Sequence, residues 1–494
     1  MDFIKFKNGG SVLLRDIPEL AYEDFKKFLQ QSLTADNCRV SAFFAEDHKL
    51  FAVLLDPAEH CFRIALCPVG SSYPALSCDI EALHWFEREI FEQSSITPEG
   101  HPWLKPIRFE HGGDPGVTDY FTMQGDAVHE VAVGPVHAGV IEPGHFRFQC
   151  MGEDVYHLEI ELGYQHRGIE KMLVESPEKL RTHLIETAAG DSSIAYALAY
   201  DMSIAALAPE KRAALTERSQ ILRTLALELE RIANHVGDIG ALAGDVAFLT
   251  TSAYCGRIRG DFLNMTAMLC GNRFGRNYIT YDGVAFDLPN SKLAYLRDWF
   301  ERTVADFKNA WLMMADDPGV LDRFEGTGAV PQEVMRRIGG VGVAARASGL
   351  DLDVRRDLGA IGVYDNLVWK NALKHSGDVI ARAKVRRWEL RESIRMVRAL
   401  LSWLESSRSD FSNGAVAPIG FTPEALSVAA VEAWRGETVC AGISGSSGEL
   451  KRIKLVDPSF HNWFALALAL RGEQISNFPI CNKSFNLSYC GHDL

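Results

Sequence analysis

Cysteine and histidine, the residue types best suited to redox chemistry, are plentiful in this sequence but are not spaced like metal ligands. The ten cysteines never form a C-x-x-C pair, and thiolate sites usually need such pairs because one turn then presents two sulfurs to one ion. His129, His137 and His145 follow one another at intervals of eight residues, a spacing that gives no reason for them to converge. These residues therefore predict no metal or cluster site carried by this chain alone.

A second set of candidates is a row of polar residues on one predicted helix. From residue 219 to 249, apolar residues recur every three or four positions, which predicts a long amphipathic helix. Beside its apolar face runs a polar row made of Glu228, Arg231, His235 and Asp238, with Asp245 further along. The ordinary interpretation of such a row is a solvated helix face. A histidine beside a carboxylate could instead handle protons.

The elements that must position these residues predict an α+β fold in two parts. Strands are predicted at 11–17, 38–45, 50–55 and 62–67, and helices at 18–29 and 80–91, so residues 1–115 read as an α/β domain. A glycine-rich run at 112–116 introduces a linker over 116–128. Residues 129–494 read as a mainly helical domain, with a β-hairpin at 146–162 and long helices at 219–249 and 375–405.

Composition excludes some function classes. The net charge of −14 argues against a nucleic-acid partner, because phosphate binding needs a basic surface. No apolar run reaches the roughly 18 residues that would span a bilayer, and the N-terminus lacks the layout of a signal peptide. We therefore expect a soluble, cytoplasmic protein that would reach a membrane only through partners.

Several segments, taken in order, resemble one family. Residues 84–91 with 99–102 resemble the signature of the small peripheral-arm subunit of respiratory complex I. Residues 134–137 with 142–147 resemble the entry motif of the formate hydrogenlyase large subunit. The segment His166–Lys171 is similar to the HRGxEK motif shared by the quinone-site subunit of complex I and hydrogenases. Residues 228–235, 346–356 and 477–494 resemble later segments of that family. The resemblance covers essentially the whole chain and looks most like energy-converting, nickel–iron hydrogenase-related subunits of the formate hydrogenlyase type.

The resemblance also shows what is missing. Hydrogenases of this family hold nickel and iron with four thiolates, which suit these metals as soft, anionic ligands. Alignment of the first ligand motif places Ala189 and Ser192 at the cysteine positions around Gly190. Alignment of the second places Ser484 and Leu487 there. These four degenerate positions imply that the chain binds no metal and is not a nickel hydrogenase.

The family also implies roles for residues that remain. In complex I, a histidine of the entry hairpin and an aspartate of the long helix form a pair beside the quinone headgroup, and His145 and Asp245 match them. The tyrosine opposite that pair aligns with Gly190, and Tyr196 is the nearest substitute. His166, Arg167 and Glu170 match positions near a partner's cluster or along a proton route. The alternative for Arg167 and Glu170 is a buried salt bridge that fixes the hairpin.

Taken together, the resemblance implies a subunit of an oxidoreductase complex rather than a free enzyme. It would pass electrons from a 4Fe-4S cluster in a small iron–sulfur partner to a quinone or other small acceptor. Membrane-arm subunits of the antiporter type would couple this transfer to proton or ion translocation, and the chain would sit peripherally on the cytoplasmic side of the inner membrane. The alternative is a structural coupling subunit with no substrate of its own.

Overall fold

The computed structural model describes residues 2–136, 142–211, 215–359, 361–407 and 420–494. The elements of the first part are β1 (Ile4–Phe6), β2 (Gly10–Leu13), α1 (Tyr22–Thr34), β3 (Arg39–Glu46), β4 (Lys49–Asp56), β5 (Cys61–Pro68), β6 (Ser72–Pro74), α2 (His84–Ser94) and β7 (Thr97–Glu99). Strands β1, β5, β4 and β3 form an antiparallel sheet in that order, while β6 and β7 form a parallel pair. Three predicted strands are confirmed as β3, β4 and β5.

Two predicted elements of this part have different bounds in the structure. The helix expected from residue 18 begins at Tyr22, because the segment before it pairs with β5: Leu66 N–H donates to the carbonyl of Pro18, and Leu20 N–H donates to that of Leu66. The strand expected over 11–17 ends at Leu13, and a 3-10 turn follows it.

The second part begins with a three-stranded sheet, β8 (Val128–Val133), β9 (His145–Met151) and β10 (Asp154–Glu161), in the order β10–β9–β8. The hairpin of β9 and β10 is the predicted one. Phe146, Phe148 and Cys150 are buried, as their alternation with polar residues predicts. His137 of the entry motif lies outside the described residues.

Helices follow: α3 (Ile169–Glu175), α4 (Glu178–Ile185), α5 (Ser193–Leu207), α6 (Glu217–Asp245), α7 (Leu249–Cys270), then the short pair β11 (Ile279–Thr280) and β12 (Gly283–Val284), and α8 (Asn290–Ala315), α9 (Pro318–Phe324), α10 (Gln332–Arg337), α11 (Gly342–Ala347), α12 (Val354–Asp357) and α13 (Val379–Ser406). Helix α6 is central and packs against α7 and α13. Its polar row is buried along with its apolar face, so the interpretation of that row as a solvated face is wrong.

The last elements are β13 (Ala425–Glu432), β14 (Glu437–Ser444), β15 (Leu450–Val456), α14 (Pro458–Ala469), α15 (Phe478–Phe485) and α16 (Tyr489–Asp493). Strands β15, β14 and β13 form an antiparallel sheet whose outer strand beside β13 is β2. Asn8 reinforces this junction, since its side chain donates to the carbonyl of Ala430 (3.0 Å) and accepts from the N–H of the same residue (2.8 Å).

The α+β fold class is confirmed. The predicted domain boundary near residue 115 stays a prediction. Strand β2 of the first part pairs with β13 of the last sheet, and one hydrophobic core includes residues of both parts. Among the described residues, no helix is both long enough and apolar enough to cross a membrane.

Candidate functional site

Two loops meet at the N-terminal end of α5, and two arginines bridge them. The first loop is residues 187–192 and the second is residues 486–491; with Arg435 they are called the two-loop site below. Arg167 donates to the carbonyls of Thr187 (2.7 Å) and Ala188 (3.0 Å) on the first loop and to that of Cys490 (3.2 Å) on the second. Arg435 donates to the carbonyl of Asn486 at 2.6 Å.

Arg435 also forms a two-pronged ion pair inside the two-loop site. Its terminal nitrogens lie 2.7 and 2.8 Å from the two carboxylate oxygens of Asp191. The side chain of Arg435 is 5% exposed and that of Asp191 is 33% exposed, and the guanidinium stacks on the ring of Trp434 at 3.9 Å. Burial would raise the pKa of Asp191, but the charge and hydrogen bonds of Arg435 outweigh it and lower the pKa.

The second loop is closed by its own hydrogen bonds. Ser488 caps α16 by accepting from the N–H of Gly491 at 2.9 Å, and Cys490 N–H donates to Glu142 at 3.1 Å. A Cβ atom at Gly491 would collide with the carboxylate of Asp457. That carboxylate accepts from the hydroxyl of Tyr196 at 2.6 Å, so Tyr196 is engaged in the core.

The four degenerate ligand positions are split between different surroundings. Ala189 and Ser192 belong to the first loop, where Ser192 donates to Asp191 at 3.3 Å. Ser484 lies in α15, where it donates to the carbonyl of Cys481 at 2.6 Å and accepts from Arg382 at 2.8 Å. The described contacts therefore tie the second loop to the first at Asn486 and Cys490, through Arg435 and Arg167. Ser484 is held by Arg382 instead.

None of the nearby groups forms a recognisable metal centre. Burial raises the pKa of Cys490 to about 11 and that of Cys481 to about 12, and only Cys490 belongs to one of the two loops. Leu487 is buried and apolar. Within the described ranges, no group of three His, Cys, Asp or Glu side chains is placed to hold a metal ion.

The HRGxEK segment supports the two-loop site from one side. His166 Nδ1 lies 2.8 Å from the carbonyl oxygen of Asp493. Glu170 is buried and accepts from Lys454 (3.1 Å) and from the N–H of Leu455 (2.8 Å). Burial alone would raise the pKa of Glu170, but Lys454 and neighbouring arginines lower it to about 2. Glu170 is thus part of a buried salt bridge, while Arg167 is exposed.

His145 begins β9 and lies opposite Glu161 of β10. Its ring is 5.4 Å from that of Tyr120, whose hydroxyl donates to Glu161. The pKa of His145 is lowered, mainly by burial, and Nε2 is buried without a hydrogen-bond partner among the described residues. Asp245 ends α6. Burial raises the pKa of its carboxyl group, and the charge of Lys483 offsets part of that rise. The described contacts include no hydrogen bond between His145 and Asp245.

Sequence reasoning missed a cluster of buried charges beside this site. The buried charge cluster consists of Glu228, Arg231 and His235 of α6, Arg346 of α11, Asp353 and Arg355 at α12, Glu389 of α13 and Glu432 of β13. The signal was the polar row on α6, whose steps of three and four keep it on one face. Its partners come from distant segments that no local pattern connects to α6.

The contacts of the cluster are close to ideal ion-pair distances. His235 Nε2 lies 2.8 Å from Glu389, and Arg346 joins Glu389 (2.9 Å) to Glu432 (2.8 Å). Arg355 lies 2.7 Å from Asp353 and 3.2 Å from Glu228. Arg231 lies 3.5 Å from Glu228 and 3.8 Å from Glu389. Every one of these side chains is at most 4% exposed.

Comparison with known proteins identifies the family. The family described as respiratory-chain NADH dehydrogenase, 49 Kd subunit, matches residues 245–419. An NADH-quinone oxidoreductase subunit from Anaeromyxobacter sp. (strain K) is 30% identical over 340 residues, which cover 66% of this chain and 86% of the relative. The chain belongs to this 49 kDa subunit family.

Two further relatives of this chain extend the similarity toward hydrogenases. Formate hydrogenlyase subunit 5 of Escherichia coli (strain K12) is 27% identical over 446 residues, covering 84% of this chain and 76% of the relative. Hydrogenase-4 component G of the same organism is 25% identical over 509 residues, covering 97% and 86%. The resemblance inferred from the motifs is therefore confirmed.

Proposed function

We propose that the chain is a non-nickel redox subunit of a membrane-associated complex of the hydrogenase and complex I kind. It takes electrons from an iron–sulfur cluster in a small partner subunit and passes them to a quinone or another small acceptor. Antiporter-type membrane-arm subunits couple the transfer to proton or ion movement, and the chain lies peripherally on the cytoplasmic side of the membrane. The hydrogenase and NADH-quinone oxidoreductase names of the relatives support this assignment.

The observation that carries the non-nickel half of the proposal is the composition of the two-loop site. Its two loops are tied together by arginines and a carboxylate instead of thiolates. An arginine–carboxylate pair is a strong, directional contact between hard groups, whereas nickel and iron of this family need soft sulfur ligands. The chemistry of this donor set therefore does not fit the metal centre that the family implies.

The exposed position of Arg167 supports electron entry at the same place. Its guanidinium holds the carbonyls of both loops and still reaches the surface. A partner that covers this surface would bring its cluster next to the two-loop site, and Arg167 would stabilise negative charge arriving there. The buried Lys454–Glu170 pair behind it keeps that edge of the site rigid.

His145 fits a small acceptor that takes up a proton with its electrons. Nε2 is buried and has no hydrogen-bond partner among the described residues, which leaves one ring nitrogen available for the carbonyl oxygen of a quinone. Because burial lowers its pKa, the ring is neutral near pH 7 and binds the acceptor without a net charge. The loop residue Tyr120 packs on the other side of the ring.

The test is made on the intact complex, purified with its neighbouring subunits. We expect iron and sulfide from the partner but no stoichiometric nickel by mass-spectrometric metal analysis, together with quinone reduction that needs His145. The matched control is His129→Ala, an exposed histidine on β8 of the same sheet. About one nickel per chain would contradict the non-nickel assignment, and equal rates in His145→Ala and His129→Ala would contradict the role of His145.

A second candidate function is a structural coupling subunit that turns over no acceptor. The observation that favours it is that the interior of the two-loop site is filled by its own ion pair, and that His145 and Asp245 share no described hydrogen bond. On this candidate, the complex assembles and transfers electrons normally in both His145→Ala and Asp245→Asn. Loss of quinone reduction in an assembled His145→Ala complex excludes it.

A further inference from the structure

The buried charge cluster does not balance its own charge. It contains four carboxyl groups, three guanidinium groups and one imidazole. Arginine keeps its charge inside proteins, so four ionised carboxylates against three arginines leave one net negative charge while His235 is neutral. A net charge in a site that excludes water is costly unless a partner or a proton offsets it. One bound proton would make the cluster neutral.

Neighbouring cations do not supply the missing positive charge. Arg386 faces His235 from α13 but pairs with Asp238 at 2.6 Å. Arg382, one turn further, is held by the carbonyls of Gly328 and Gly377 and by Ser484. Arg391 and Arg395, which are exposed, both pair with Glu392. Each of these four arginines is therefore already engaged by other groups.

Two members of the cluster can carry the proton. Glu432 faces Arg346, Arg355 and Arg231 but also Asp353, and burial together with the charge of Asp353 raises the pKa of Glu432. His235 lies 2.8 Å from Glu389 through Nε2, while its Nδ1 is buried with no hydrogen-bond partner in the described structure. Burial lowers the pKa of His235, so Glu432 is the favoured carrier once a proton is bound. The proton belongs to the coupled group as a whole.

The cluster lies directly behind the two-loop site. The ring of His235 meets the ring of Trp434 edge-on at 6.1 Å, and Trp434 Nε1 donates to the carbonyl of Asp191 at 3.1 Å. One turn along α6, Asp238 accepts from Asn486 of the second loop. Charge added to the two-loop site therefore acts on the cluster across one layer of side chains, where a low dielectric keeps the interaction strong.

We propose that the buried charge cluster is a proton-binding site that takes up one proton when an electron arrives beside the two-loop site, and releases it on re-oxidation. This rests on the proposed function. The electron comes from the partner's reduced iron–sulfur cluster and the proton from solvent. Within the cluster, only one O–H or N–H bond forms and later breaks. The added electron makes the surroundings more negative, which strengthens proton binding, and the proton cancels the net charge.

Reduced-minus-oxidised infrared difference spectroscopy on the intact complex, with dithionite as reductant, tests the proposal. We expect reduction to increase the signal of a buried protonated carboxyl group in the wild type and Glu432→Gln to abolish this increase. Glu87→Gln is the matched control, because Glu87 is a buried glutamate with a raised pKa far along the chain from the cluster; the increase should persist there. A pH indicator should record about one more proton taken up per chain on reduction in the wild type than in Glu432→Gln, because the protons consumed by the acceptor and released by dithionite are the same in both.

The outcomes separate this proposal from the proposed function. An acceptor that is reduced with equal proton uptake in the wild type and in Glu432→Gln, and with no carboxyl or imidazole change, overturns the proton-binding site and leaves the redox role standing. If no acceptor is reduced, the redox role fails, and the oxidised complex still tests the site: a carboxyl signal that titrates with pH and disappears in Glu432→Gln supports it, and an unchanged signal overturns it. If Glu432→Gln fails to assemble, His235→Gln takes its place, and the infrared and indicator measurements on this variant are compared with those on the wild type.

Discussion

The guanidinium of Arg435 is buried, but the carboxylate that pairs with it is one-third exposed. Removing the carboxylate leaves a buried cation without its partner, which is more costly than losing a surface ion pair. We expect Asp191→Asn to lower the free energy of unfolding by about 3 kcal/mol. Glu301→Gln, which breaks the exposed Arg398–Glu301 pair, should cost less than about 1 kcal/mol. Denaturant unfolding of both variants measures the difference, and equal losses would show that the Asp191–Arg435 pair is dispensable.

His145 and Asp245 give a second prediction at this scale. We expect His145→Ala to slow acceptor reduction by roughly a hundredfold, the usual effect of losing a positioned acid–base group. If Asp245 orients His145, the double variant should be no slower than His145→Ala, because one interaction cannot be lost twice. If the two residues act separately, as the absence of a described hydrogen bond between them indicates, the two effects should multiply. Rates of the two single variants and of the double variant decide between these cases.

Sequence reasoning identified some site residues and misplaced the surroundings of others. The row on α6 was visible because a helix repeats every 3.6 residues, yet periodicity cannot tell whether a polar face meets water or buried arginines. Ser484 and Ser488 illustrate a related limit. Each serine follows an asparagine by two positions, and only the fold shows that Ser488 lies in the loop that Arg167 and Arg435 tie to the first loop, while Ser484 lies in α15. Arg435 had no local pattern to mark it, because its partner is Asp191.

The strand β2 shows how a short element can depend on one side chain. Asn8 precedes it and satisfies both the N–H and the carbonyl of Ala430 on β13. We expect Asn8→Ala to lower the free energy of unfolding by about 2 kcal/mol, because both backbone groups stay buried and lose their partner. Asn371→Ala, which removes a hydrogen bond to Asp351 near the surface, is the control. An effect of Asn8→Ala no larger than that of the control would mean that β2 is held by its strand pairing alone.

Whether an element could be predicted from the sequence depends on whether one of its faces or both are buried. Strands β3 to β5 and helices α6 and α13 were predicted because their apolar residues form long runs or clear periods. Strands β13 and β14 were missed, since all eight residues of each are buried and a strand covered on both faces loses the alternation that marks it. Glu432 and Glu437 at their connected ends are buried as well, which the charge of a glutamate does not suggest.

The whole molecule should be sensitive to acid because many of its histidines are buried as neutral rings. Seven have a lowered pKa, with burial as the main cause: His84, His101, His145, His157, His235, His461 and His492. For His101 and His461 the pKa falls to about 4. In the unfolded chain, all would titrate near the ordinary value of about 6.5.

The sign of the effect follows from proton counting. Below about pH 6.5 the unfolded chain binds protons that the folded chain refuses, so stability should fall as the pH drops from about 7 toward 4. Denaturant unfolding measured at several pH values checks this. His461→Asn should make the slope shallower because one of the refused protons is gone, while His129→Asn, at an exposed position, should leave it unchanged. A stability that does not change over this pH range would contradict the prediction.

The junction of β2 with β13 also constrains the order of events during synthesis of the chain. Residues 10–13 pair with residues 425–428, so β2 has no partner until more than four hundred residues have been added. At about 5–20 residues per second, that delay is on the order of 20–80 s. During this time β3 to β5 can pair locally, but Asn8 and Arg39, which later bind Ala430 and Glu437, must wait. For most of its translation, the emerging chain would then expose the apolar surface that these late contacts cover. Such a chain is expected to bind a chaperone at the ribosome exit.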